Sequence, residues 1–563
     1  MVDFKSGAEN TSPSDPAAAD GSSGVAANNF ASFASIKEED ILQKQKLSNE
    51  KTKVELRKKK FQEQLSKNRT ADFDGPVESY SSGIQSNNFN DSQANYGCQI
   101  SEFSNIDIEY VDFEAISQTL KTKSIEEIYD IVQRIRKVLS NTKKNSSASN
   151  CLDDLVKSPF LGIIAEIMDQ SLNDDLNYEI SWILINVAAG NTQQAESIVN
   201  CGAMTMLMNK IRQNPTEKVK SHILWIFANV IGDGPDLRNK CLELGILPLV
   251  YELVFEPNVQ SQTIKHYLAW IISNILRPTK QAVSDDIMNV ILDMLEKLIS
   301  MNPDKDVVFD LVWSLFYMQT SVERRGLVIK RGLHIFLMNH LNSESEKNQK
   351  AALRALSTLT ITQNEDMQIL LDHGYIESFA QIFESKPEVF KLDVLMAFGN
   401  IAIGFVNQKR MLISHPIFGR IIARVSSFSD RLQREVCFMI ANLICTNDSD
   451  FLKELLDKYD SIYNLFFRSF IGQINDVSLI TRNLGAANML LTHQENIGRD
   501  IALLMEKEGV LEAIENFQMH SNDEVYNKST QIIKTFFSSD EMGEDNLDLS
   551  DSNKDQAGNK FNF

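Results

Sequence analysis

The apolar residues of this chain recur at the spacing of one face of an α-helix. In the stretch EISWILINV, which starts at Glu179, Ile, Leu and Val fall at positions i, i+3, i+4 and i+7. The stretches LWIFANV and LAWIISNIL carry the same stripe further along the chain. Helical patterning of this kind extends from about residue 108 to residue 537. Because Gly (24) and Pro (12) are also scarce for 563 residues, the pattern favours an all-α fold over a turn-rich β fold.

Two series of residues repeat along the helical region. The four tryptophans are spaced 43, 45 and 43 residues apart, and the same phase continues at three later positions. A glycine followed by an apolar helix begins at residues 202, 245, 332 and 374. Both series indicate a unit of about 42 residues, which is the armadillo and HEAT range. We therefore predict a right-handed armadillo-repeat superhelical solenoid of about ten repeats. The seven positions of the first series are Trp182, Trp225, Trp270, Trp313, Arg354, Met396 and Phe438.

The tryptophans do not fall on the apolar stripe. Each lies two residues out of phase with it, about 200° around the helix, and a polar residue follows one turn later. A single helical tryptophan is usually core, but four at one phase predict a row that projects away from the core. Stacked repeats would then present a tryptophan row beside an amide row. The pairs are Trp182 with Asn186, Trp225 with Asn229, Trp270 with Asn274, and Trp313 with Tyr317.

Such rows have the chemistry of a site for an extended basic peptide. An asparagine side chain both donates and accepts, so it can bond a peptide backbone whatever the peptide's side chains are. Adjacent indoles form slots in which lysine or arginine stems lie flat and gain cation–π attraction. Asp233 stands one turn beyond Asn229, and Asp306 and Asp310 precede Trp313, so carboxylates are near the rows.

Charge is distributed unevenly along the chain. The net charge of −20 argues against nucleic acid as the main partner. Ten Lys/Arg against three Glu give residues 41–70 a net charge of +7, which leaves −27 on the remainder. An acidic body with a basic arm suggests a basic ligand with which the arm could compete. We predict a disordered segment 1–35, a basic amphipathic helix 36–69, a flexible linker 70–107, armadillo repeats 108–537 and an acidic disordered tail 538–563.

Other kinds of chemistry lack a sequence signal. The six cysteines form no CxxC pair and no cluster with histidine, so neither a disulfide framework nor a metal site is indicated. No phosphate-binding loop, HExxH or GxSxG motif occurs, and no apolar run of about 18 residues is present. We expect neither an enzyme, a cofactor, a metal nor a membrane span. The eight histidines are dispersed, and His222 and His266, just before ladder tryptophans, are expected to pack between helices.

The repeat segment resembles the importin-alpha (karyopherin-alpha) family. The resemblance is carried by SWILINVAAG, LWIFANVIGDGPDLRNKCLELGILPLV, LAWIISNILRP and ALRAL, with VELRKKKFQEQLSKNR in the basic arm. It covers most of residues 36–537. The family is an armadillo solenoid that binds nuclear localisation signals on its concave surface, so the resemblance implies a nuclear-import adaptor.

The resemblance implies a major signal-binding site built from the first tryptophan–asparagine cluster. Asp233 matches the acid that holds the critical lysine of the signal, and Gly190 lies near that pocket. The pocket threonine of the family falls on Ala195, so one hydrogen bond to the lysine is expected to be missing. The implied major site comprises Trp182, Asn186, Gly190, Trp225, Asn229, Asp233, Trp270, Asn274 and Arg277.

A later cluster corresponds to the family's minor site, which bipartite signals use. Together with the acids before Trp313, it comprises Asp306, Asp310, Trp313, Tyr317, Arg354, Asn400, Glu435 and Asn442. Two later tryptophans of the family are Met396 and Phe438 here, an asparagine is Thr358, and an acid is Thr320. Methionine and phenylalanine attract a lysine stem less strongly than tryptophan does. We therefore expect a weakened or altered minor site, at which bipartite peptides gain little over monopartite ones.

The resemblance also implies the partners of the chain. The basic arm corresponds to the importin-beta-binding segment, and its end, SKNR, is a poorer signal mimic than the family has, so milder autoinhibition is expected. Cargo proteins with basic localisation signals are the second class of partner. An exportin-class receptor, bound near residues 488–537, would return the chain to the cytoplasm, so shuttling between nucleus and cytoplasm is expected. The importin-beta-binding residues are Lys53, Arg57, Lys58, Lys59, Lys60, Lys67 and Arg69.

An armadillo scaffold of the catenin or vacuolar-anchor type is the alternative. Such a scaffold would bind acidic or phosphorylated peptides, or cytoskeletal proteins, through a basic groove. The acidic charge over the repeats disfavours it.

Overall fold

The computed structural model describes residues 111–141, 147–257, 261–278, 283–471 and 476–537, all within the second of two compact units, Asn105–Phe563. The described residues form 29 α-helices, one short 3-10 turn (Val425–Ser427) and no strand. In chain order the helices are α1 (Phe113–Leu120), α2 (Ile125–Asn141), α3 (Ser147–Lys157), α4 (Phe160–Gln170), α5 (Asp174–Ala188), α6 (Thr192–Asn200), α7 (Ala203–Arg212), α8 (Glu217–Asp233), α9 (Pro235–Glu243), α10 (Ile246–Val254), α11 (Gln262–Leu276), α12 (Asp285–Ser300), α13 (Lys305–Met318), α14 (Val322–Lys330), α15 (Leu333–Asn339), α16 (Glu346–Leu359), α17 (Asn364–Asp372), α18 (Tyr375–Ser385), α19 (Glu388–Ile401), α20 (Val406–Ser414), α21 (Pro416–Arg424), α22 (Asp430–Ile444), α23 (Ser449–Lys458), α24 (Ile462–Ile471), α25 (Val477–Thr492), α26 (Gln494–Ile497), α27 (Ile501–Lys507), α28 (Val510–Phe517) and α29 (Asp523–Phe536).

One helix of each repeat packs against its counterparts in the repeats before and after it. We call these ten the ladder helices, and the surface they share the ladder face. Successive ladder helices begin 41 to 49 residues apart, which confirms the predicted series of about ten repeats. In chain order the ladder helices are α2, α5, α8, α11, α13, α16, α19, α22, α25 and α29.

The glycine series marks the turn between the two outer helices of a repeat. All four glycines adopt positive φ angles, a region in which an L side chain would be strained. A fifth, Gly509, does the same between α27 and α28 with φ of 77°. The glycine pattern therefore reports a backbone requirement that recurs once per repeat. The four are Gly202 (φ 80°), Gly245 (φ 90°), Gly332 (φ 72°) and Gly374 (φ 79°).

The apolar stripe of each ladder helix lies in the core, as the pattern predicted. Ile180, Ile183, Leu184 and Val187 of α5 are all fully buried. Ladder helices in the middle of the array are also flanked on both sides, so the burial of α8 extends well beyond one stripe. Full burial of each such side chain contributes roughly 1.5–3 kcal/mol, and the repeats are stabilised mainly by this stacking.

Buried cations hold the carboxyl ends of several ladder helices. Arg238 on α9 donates to the carbonyls of Ile275 and Arg277 at the end of α11. Lys409 on α20 donates to the carbonyl of Asn442 at 2.9 Å, near the end of α22, and burial lowers the pKa of Lys409 to about 8. Because helix carboxyl ends carry unsatisfied carbonyls and partial negative charge, these contacts fix the ends of the ladder helices.

Candidate functional site

The tryptophan positions lie on consecutive ladder helices, but they are not equally open. Trp182, Trp270 and Trp313 are half-buried. Trp225 is only 4% exposed. The expectation that every tryptophan projects freely from the core is therefore wrong for Trp225. Its indole is covered because Trp182 packs against one side and Tyr267 against the other.

Aromatic rings form a continuous row from α5 to α11. The centroids of Trp182 and Trp225 are 6.4 Å apart at a steep angle, and Trp225 stacks on Tyr267 at 6.0 Å. The ring centroids of Tyr267 and Trp270 are 6.4 Å apart, which extends the row to α11. Tyr178 begins the row, 5.9 Å from Trp182. We call Tyr178 to Trp270 the aromatic row. Phe309, Phe316 and Tyr317 surround Trp313.

Two tyrosines of this row were missed by the sequence reasoning. Tyr178 stands four residues before Trp182, and Tyr267 stands three residues before Trp270. Residues at these spacings lie one turn apart on the same helix face. Aromatic residues one turn before a ladder tryptophan were therefore the signal that could have identified both.

His222 is an interior member of the aromatic row. Its ring stacks on Tyr178 at 4.5 Å and approaches Trp182 at 4.9 Å, and the hydroxyl of Ser181 lies 2.8 Å from Nδ1. Burial lowers the pKa of His222 to about 3, so the ring is neutral near pH 7. This agrees with the expected role in packing between helices.

The asparagine row is more deeply buried than expected. Asn229 is 5% exposed and Asn274 is 3% exposed. The amide of Asn274 donates to the carbonyl of Ala228 on α8 at 2.8 Å, and its oxygen accepts from Arg277 at 2.6 Å. The expectation that each ladder asparagine offers both groups to a ligand is therefore wrong for Asn274, because the neighbouring helix accepts from its amide and Arg277, at the end of its own helix, donates to its oxygen.

Asn186 and Asn229 differ from Asn274 in their hydrogen bonds. Asn186 donates to the carbonyl of Trp182 within its own helix at 2.9 Å. The Nδ2 of Asn229 is buried and has no hydrogen-bond partner among the described residues. A buried amide without a partner is destabilising, so a ligand carbonyl that reached Asn229 after a small side-chain movement would gain a full hydrogen bond.

Asp233 is the last residue of α8 and is half-buried. Arg277 donates to the carbonyl of the adjacent Gly232 at 3.0 Å, which places a cation beside this carboxylate. A Cβ on Gly232 would lie 2.6 Å from Nδ2 of Asn274, so only glycine permits this close packing of the two helices. The predicted Asp233 and Arg277 are thus brought together at one end of the ladder face.

The surroundings of Gly190 are set by a neighbouring glutamine. A Cβ on Gly190 would collide with the side chain of Gln194, whose oxygen accepts from the backbone N–H of Asn191 at 3.0 Å. The amide of Gln194 donates to Asp153 at 2.8 Å. Ala195, which replaces the pocket threonine of the family, is fully buried. Gly190 therefore has a packing role that does not depend on any ligand.

The two acids before Trp313 have different environments. Asp306 is exposed on α13. Asp310 is only 5% exposed, and its Oδ2 lies 3.5 Å from Nδ1 of His266 on α11. The carboxylate of Asp310 is therefore nearly buried beside a half-buried histidine, and its predicted role toward a peptide stays a prediction. Burial lowers the pKa of His266, and the charges of Asp306 and Asp304 oppose that shift.

Beyond α13 the ladder positions change character. Trp313 packs on Tyr317 at 5.4 Å, and both are half-buried. Arg354 on α16 is exposed, Met396 on α19 is 43% exposed, and Phe438 on α22 is half-buried. The rings around Trp313 are those of Phe309, Phe316 and Tyr317 on its own helix, and the later ladder positions carry an arginine, a methionine and a phenylalanine in place of tryptophan.

The polar residues of this later part are mostly engaged by the protein. Asn400 donates to the hydroxyl of Thr360 at 2.9 Å. Asn442 is 7% exposed and donates to the carbonyl of Gly399 at 2.9 Å, which parallels the bond from Asn274 to Ala228. The Oδ1 of Asn442 is buried and has no hydrogen-bond partner in the described part of the chain. These asparagines therefore hold neighbouring repeats together.

Asp393 was missed by the sequence reasoning and lies beside Arg354. It is half-buried; burial raises its pKa, and the positive charges of Arg354, Lys350 and Arg431 oppose that rise. The predicted Glu435 has a pKa that burial also raises, opposed by Arg434 and Arg431. Asp393 precedes Met396 by three residues, as Glu435 precedes Phe438, and that repeated spacing was the available signal.

The predictions about the basic arm, metal sites and membrane spans have different outcomes. The seven basic residues predicted to bind importin-beta lie outside the described residues. Within the described part, no cluster of histidine, cysteine or carboxylate side chains is suited to a metal ion. A search of the same residues finds no helix with the length and apolarity that a membrane crossing requires.

Comparisons with known proteins agree with the repeat architecture. A family model described as an atypical Arm repeat matches residues 499–550. Importin subunit alpha-9 of Arabidopsis thaliana is 21% identical over 460 residues, covering 76% of this chain and 86% of that protein. Importin subunit alpha-2 of Oryza sativa subsp. japonica is 22% identical over 406 residues, covering 69% and 75%. The crystal structure of an engineered protein matches with a TM-score of 0.62 at 16% identity, covering 76% of this chain and 100% of that one.

The stacked ladder helices and the matching repeat model define an armadillo-repeat protein, an all-α solenoid. Armadillo scaffolds are a non-enzymatic class. The matches to importin alpha subunits extend over most of the repeat region at modest identity. The chain is thus similar, at low identity, to importin alpha subunits.

Proposed function

We propose that this protein is a nuclear-import adaptor. It binds lysine- and arginine-rich localisation signals in extended form on the ladder face and links that cargo to importin-beta through its N-terminal basic segment. The relatives with matching repeats are named importin alpha subunits, which supports the general role. The finer assignment of the signal-binding residues rests on the geometry of the ladder face.

The main support for the proposal is the aromatic row on α5, α8 and α11, together with Asp233 at the end of α8. Half-buried Trp182 and Trp270 offer indole faces on which the aliphatic stem of a lysine can lie. Asp233 is positioned to receive the ammonium group at the end of one such stem. The adjacent Arg277 would repel that group, so the pocket favours a single well-placed lysine over a diffuse basic cluster.

The bound peptide would be oriented by the asparagines that retain hydrogen-bonding capacity. Asn229 has an amide nitrogen that lacks a described partner, and the amide of Asn186 donates to Trp182 of its own helix. Asn274 contributes indirectly, because it aligns α8 with α11 and thereby fixes the position of Asp233. Backbone bonding through two asparagines keeps the site tolerant of the signal's other side chains.

Transport requires partners beyond the signal. In this proposal importin-beta captures the basic segment 36–69, and an exportin-class receptor returns the protein to the cytoplasm. The protein would then shuttle between cytoplasm and nucleus. The weak resemblance of SKNR to a localisation signal implies that the arm competes only mildly for the Asp233 pocket.

The test is peptide binding to the full chain, measured by fluorescence anisotropy of a labelled monopartite lysine-rich peptide. We expect submicromolar binding (Kd below about 1 µM, or roughly −8 kcal/mol). The variant Asp233→Lys should weaken it by about a hundredfold, because removing one partner of a desolvated charge pair costs roughly 2–5 kcal/mol.

Asp236→Lys is the matched control, since it makes the same charge reversal three residues away, at an exposed position of α9. This control should bind the peptide nearly as the unsubstituted chain does. Equal losses in both variants would reduce the effect to general charge and remove the pocket from the proposal. No binding by any of the three proteins would return the function to the class of armadillo scaffolds.

A further inference from the structure

The residue three positions before each ladder tryptophan is buried. Residues three apart on a helix lie on the same face, so each of these side chains stands beside the indole of its own helix. Two of the four are aromatic, and they belong to α8 and α11, the helices that carry Trp225 and Trp270. The four residues are Glu179 (5% exposed), His222 (8%), Tyr267 (8%) and Asp310 (5%).

The two aromatic residues each contact the tryptophans of two successive ladder helices. The ring centroid of His222 is 4.9 Å from that of Trp182 and 6.3 Å from that of Trp225. The ring centroid of Tyr267 is 6.0 Å from that of Trp225 and 6.4 Å from that of Trp270. Each ring therefore bridges the two indoles on either side of one gap in the tryptophan series. We call His222 and Tyr267 the gap residues.

A lysine stem needs a minimum width to lie between two rings. Carbon atoms in contact are about 3.5–4.0 Å apart, so a stem that touches two ring faces separates them by about 7–8 Å. Neither gap provides that width. Trp182 and Trp225 are already 6.4 Å apart in an edge-to-face contact, and Tyr267 stacks on Trp225 at 6.0 Å with 19° between the ring planes. Because both gap residues are also nearly buried, a stem could enter only after one of their rings was displaced.

The indole surface that remains open lies at the two ends of the aromatic row. Trp182 and Trp270 are half-buried, whereas Trp225 between them is 4% exposed. Neighbouring helices pack about 8–10 Å apart, so the two open indoles on α5 and α11 are separated by about 16–20 Å. An extended peptide covers this distance with about five residues. Two stems that far apart can therefore be contacted at the same time.

We propose that His222 and Tyr267 determine the specificity of the signal-binding site by closing the two gaps beside Trp225. The site then selects basic signals through two separated lysine stems, which lie on Trp182 and Trp270. Lysines between these two contribute charge but no stem contact. With a small residue at a gap position, the same site would accept a further stem. The inference rests on the proposed function, because it specifies which basic signals the ladder face selects.

The test separates stem contacts from charge by using labelled peptides of eight cationic residues. One peptide contains lysine throughout. In the others two residues are lysine, at every possible spacing, and the rest are 2,4-diaminobutyric acid, which keeps the ammonium group but shortens the stem by two methylenes. Fluorescence anisotropy with the full chain should show that the best two-lysine peptide, with a spacing of about five residues, binds within about twofold of the all-lysine peptide.

The variant Tyr267→Ser opens one gap. Its affinity for the all-lysine peptide should exceed that for the best two-lysine peptide by about three- to tenfold, because a third stem gains a cation–π contact. Tyr267→Phe keeps the ring and should keep the ratio of the unsubstituted chain. Tyr251→Ser removes an exposed aromatic ring from outer helix α10 and should also leave the ratio unchanged.

Two results would overturn the inference while leaving the adaptor role intact. The first is an unsubstituted chain that binds the all-lysine peptide more than about fivefold tighter than every two-lysine peptide, since the gaps would then already accept stems. This comparison needs no variant, so it holds even if Tyr267→Ser does not fold. The second is an unchanged ratio in Tyr267→Ser whose circular dichroism matches that of the unsubstituted chain. Absence of binding to every peptide by all four proteins would instead contradict the proposed function, and the inference with it.

Discussion

The two halves of the ladder face use the same helix positions for different chemistry. From α5 to α11 the positions carry tryptophans that join a continuous aromatic row with Tyr178, His222 and Tyr267. From α16 to α22 they carry Arg354, Met396 and Phe438, with the half-buried carboxylates Asp393 and Glu435 and the cations that act on them nearby. Each repeat contacts only its neighbours, so one half of a solenoid can change its surface without disturbing the backbone of the other.

The comparison also separates two uses of a ladder side chain. In the aromatic half, side chains that could meet a peptide also hold adjacent repeats together, as the nearly complete burial of Trp225 illustrates. In the later half, Met396 is largely open and contributes little to packing between repeats. Stability and recognition are therefore coupled at Trp225 and largely independent at Met396.

The largest expected effect tests this coupling through stability. Trp225→Ala should lower the free energy of unfolding by roughly 3–5 kcal/mol, because it leaves a cavity between Trp182 and Tyr267. Met396→Ala, at the equivalent position of the later half, should cost less than about 1 kcal/mol, because the side chain is already exposed. Urea unfolding followed by circular dichroism measures both. Similar losses for the two variants would show that the halves are packed alike.

The repeat period, the glycine turns and the apolar stripes could be predicted from the sequence, because each depends on local spacing. Gly202 and Gly245 illustrate this, since their positive φ angles follow directly from the turn between two helices. The burial of Trp225 could not be predicted in the same way. It depends on which side chains of α5 and α11 meet across the stack, and helix periodicity describes only one helix at a time.

The hydrogen bonds of the polar site residues could not be predicted from helix periodicity either. Phase analysis placed Asn274 on the ladder face, yet its hydrogen bonds run to Ala228 and Arg277 and not outward. Asp310 was likewise placed near a peptide, whereas it faces His266 at 3.5 Å. Ala228 lies 46 residues before Asn274, and His266 lies 44 residues before Asp310. Each of these partners belongs to the preceding ladder helix, so only the assembled repeats reveal it.

A second, smaller effect is the pH dependence of the unfolding free energy that arises from His222 in the aromatic row. His222 has a pKa of about 3 in the folded chain against an ordinary value of 6.5, so its neutral form stabilises the fold above pH 6.5. That contribution is lost as the pH falls from 6.5 toward 3. By pH 5 the free energy of unfolding has fallen by about 2 kcal/mol for this reason. His222→Phe keeps an aromatic ring but cannot titrate, so its unfolding free energy should fall less between pH 7.5 and pH 5.

Urea midpoints at several pH values measure this difference. The ladder helices α16, α19 and α22 contain no histidine. His266, whose pKa burial also lowers, contributes in the same direction and remains in the variant. Outside the aromatic row, burial also lowers the pKa of His334 on α15, to about 4, and this residue likewise remains in the variant. Identical pH profiles for the unsubstituted chain and His222→Phe would mean that the ring is charged without cost in the folded state.

The smallest expected effect tests whether the later half can be converted toward the chemistry of the first. In the unsubstituted chain a bipartite lysine-rich peptide should bind only slightly more tightly than a monopartite one. Met396→Trp and Phe438→Trp should each improve the bipartite peptide about two- to fivefold, because an exposed cation–π contact contributes roughly 0.5–1 kcal/mol. Anisotropy with the two peptides measures the ratio, and Met411→Trp on outer helix α20 controls for an added surface indole. The gain remains small because each variant adds only one exposed cation–π contact. A strong preference for the bipartite peptide before any substitution would show that the later half already accepts a basic cluster, and the contrast between the halves would then lie in their packing alone.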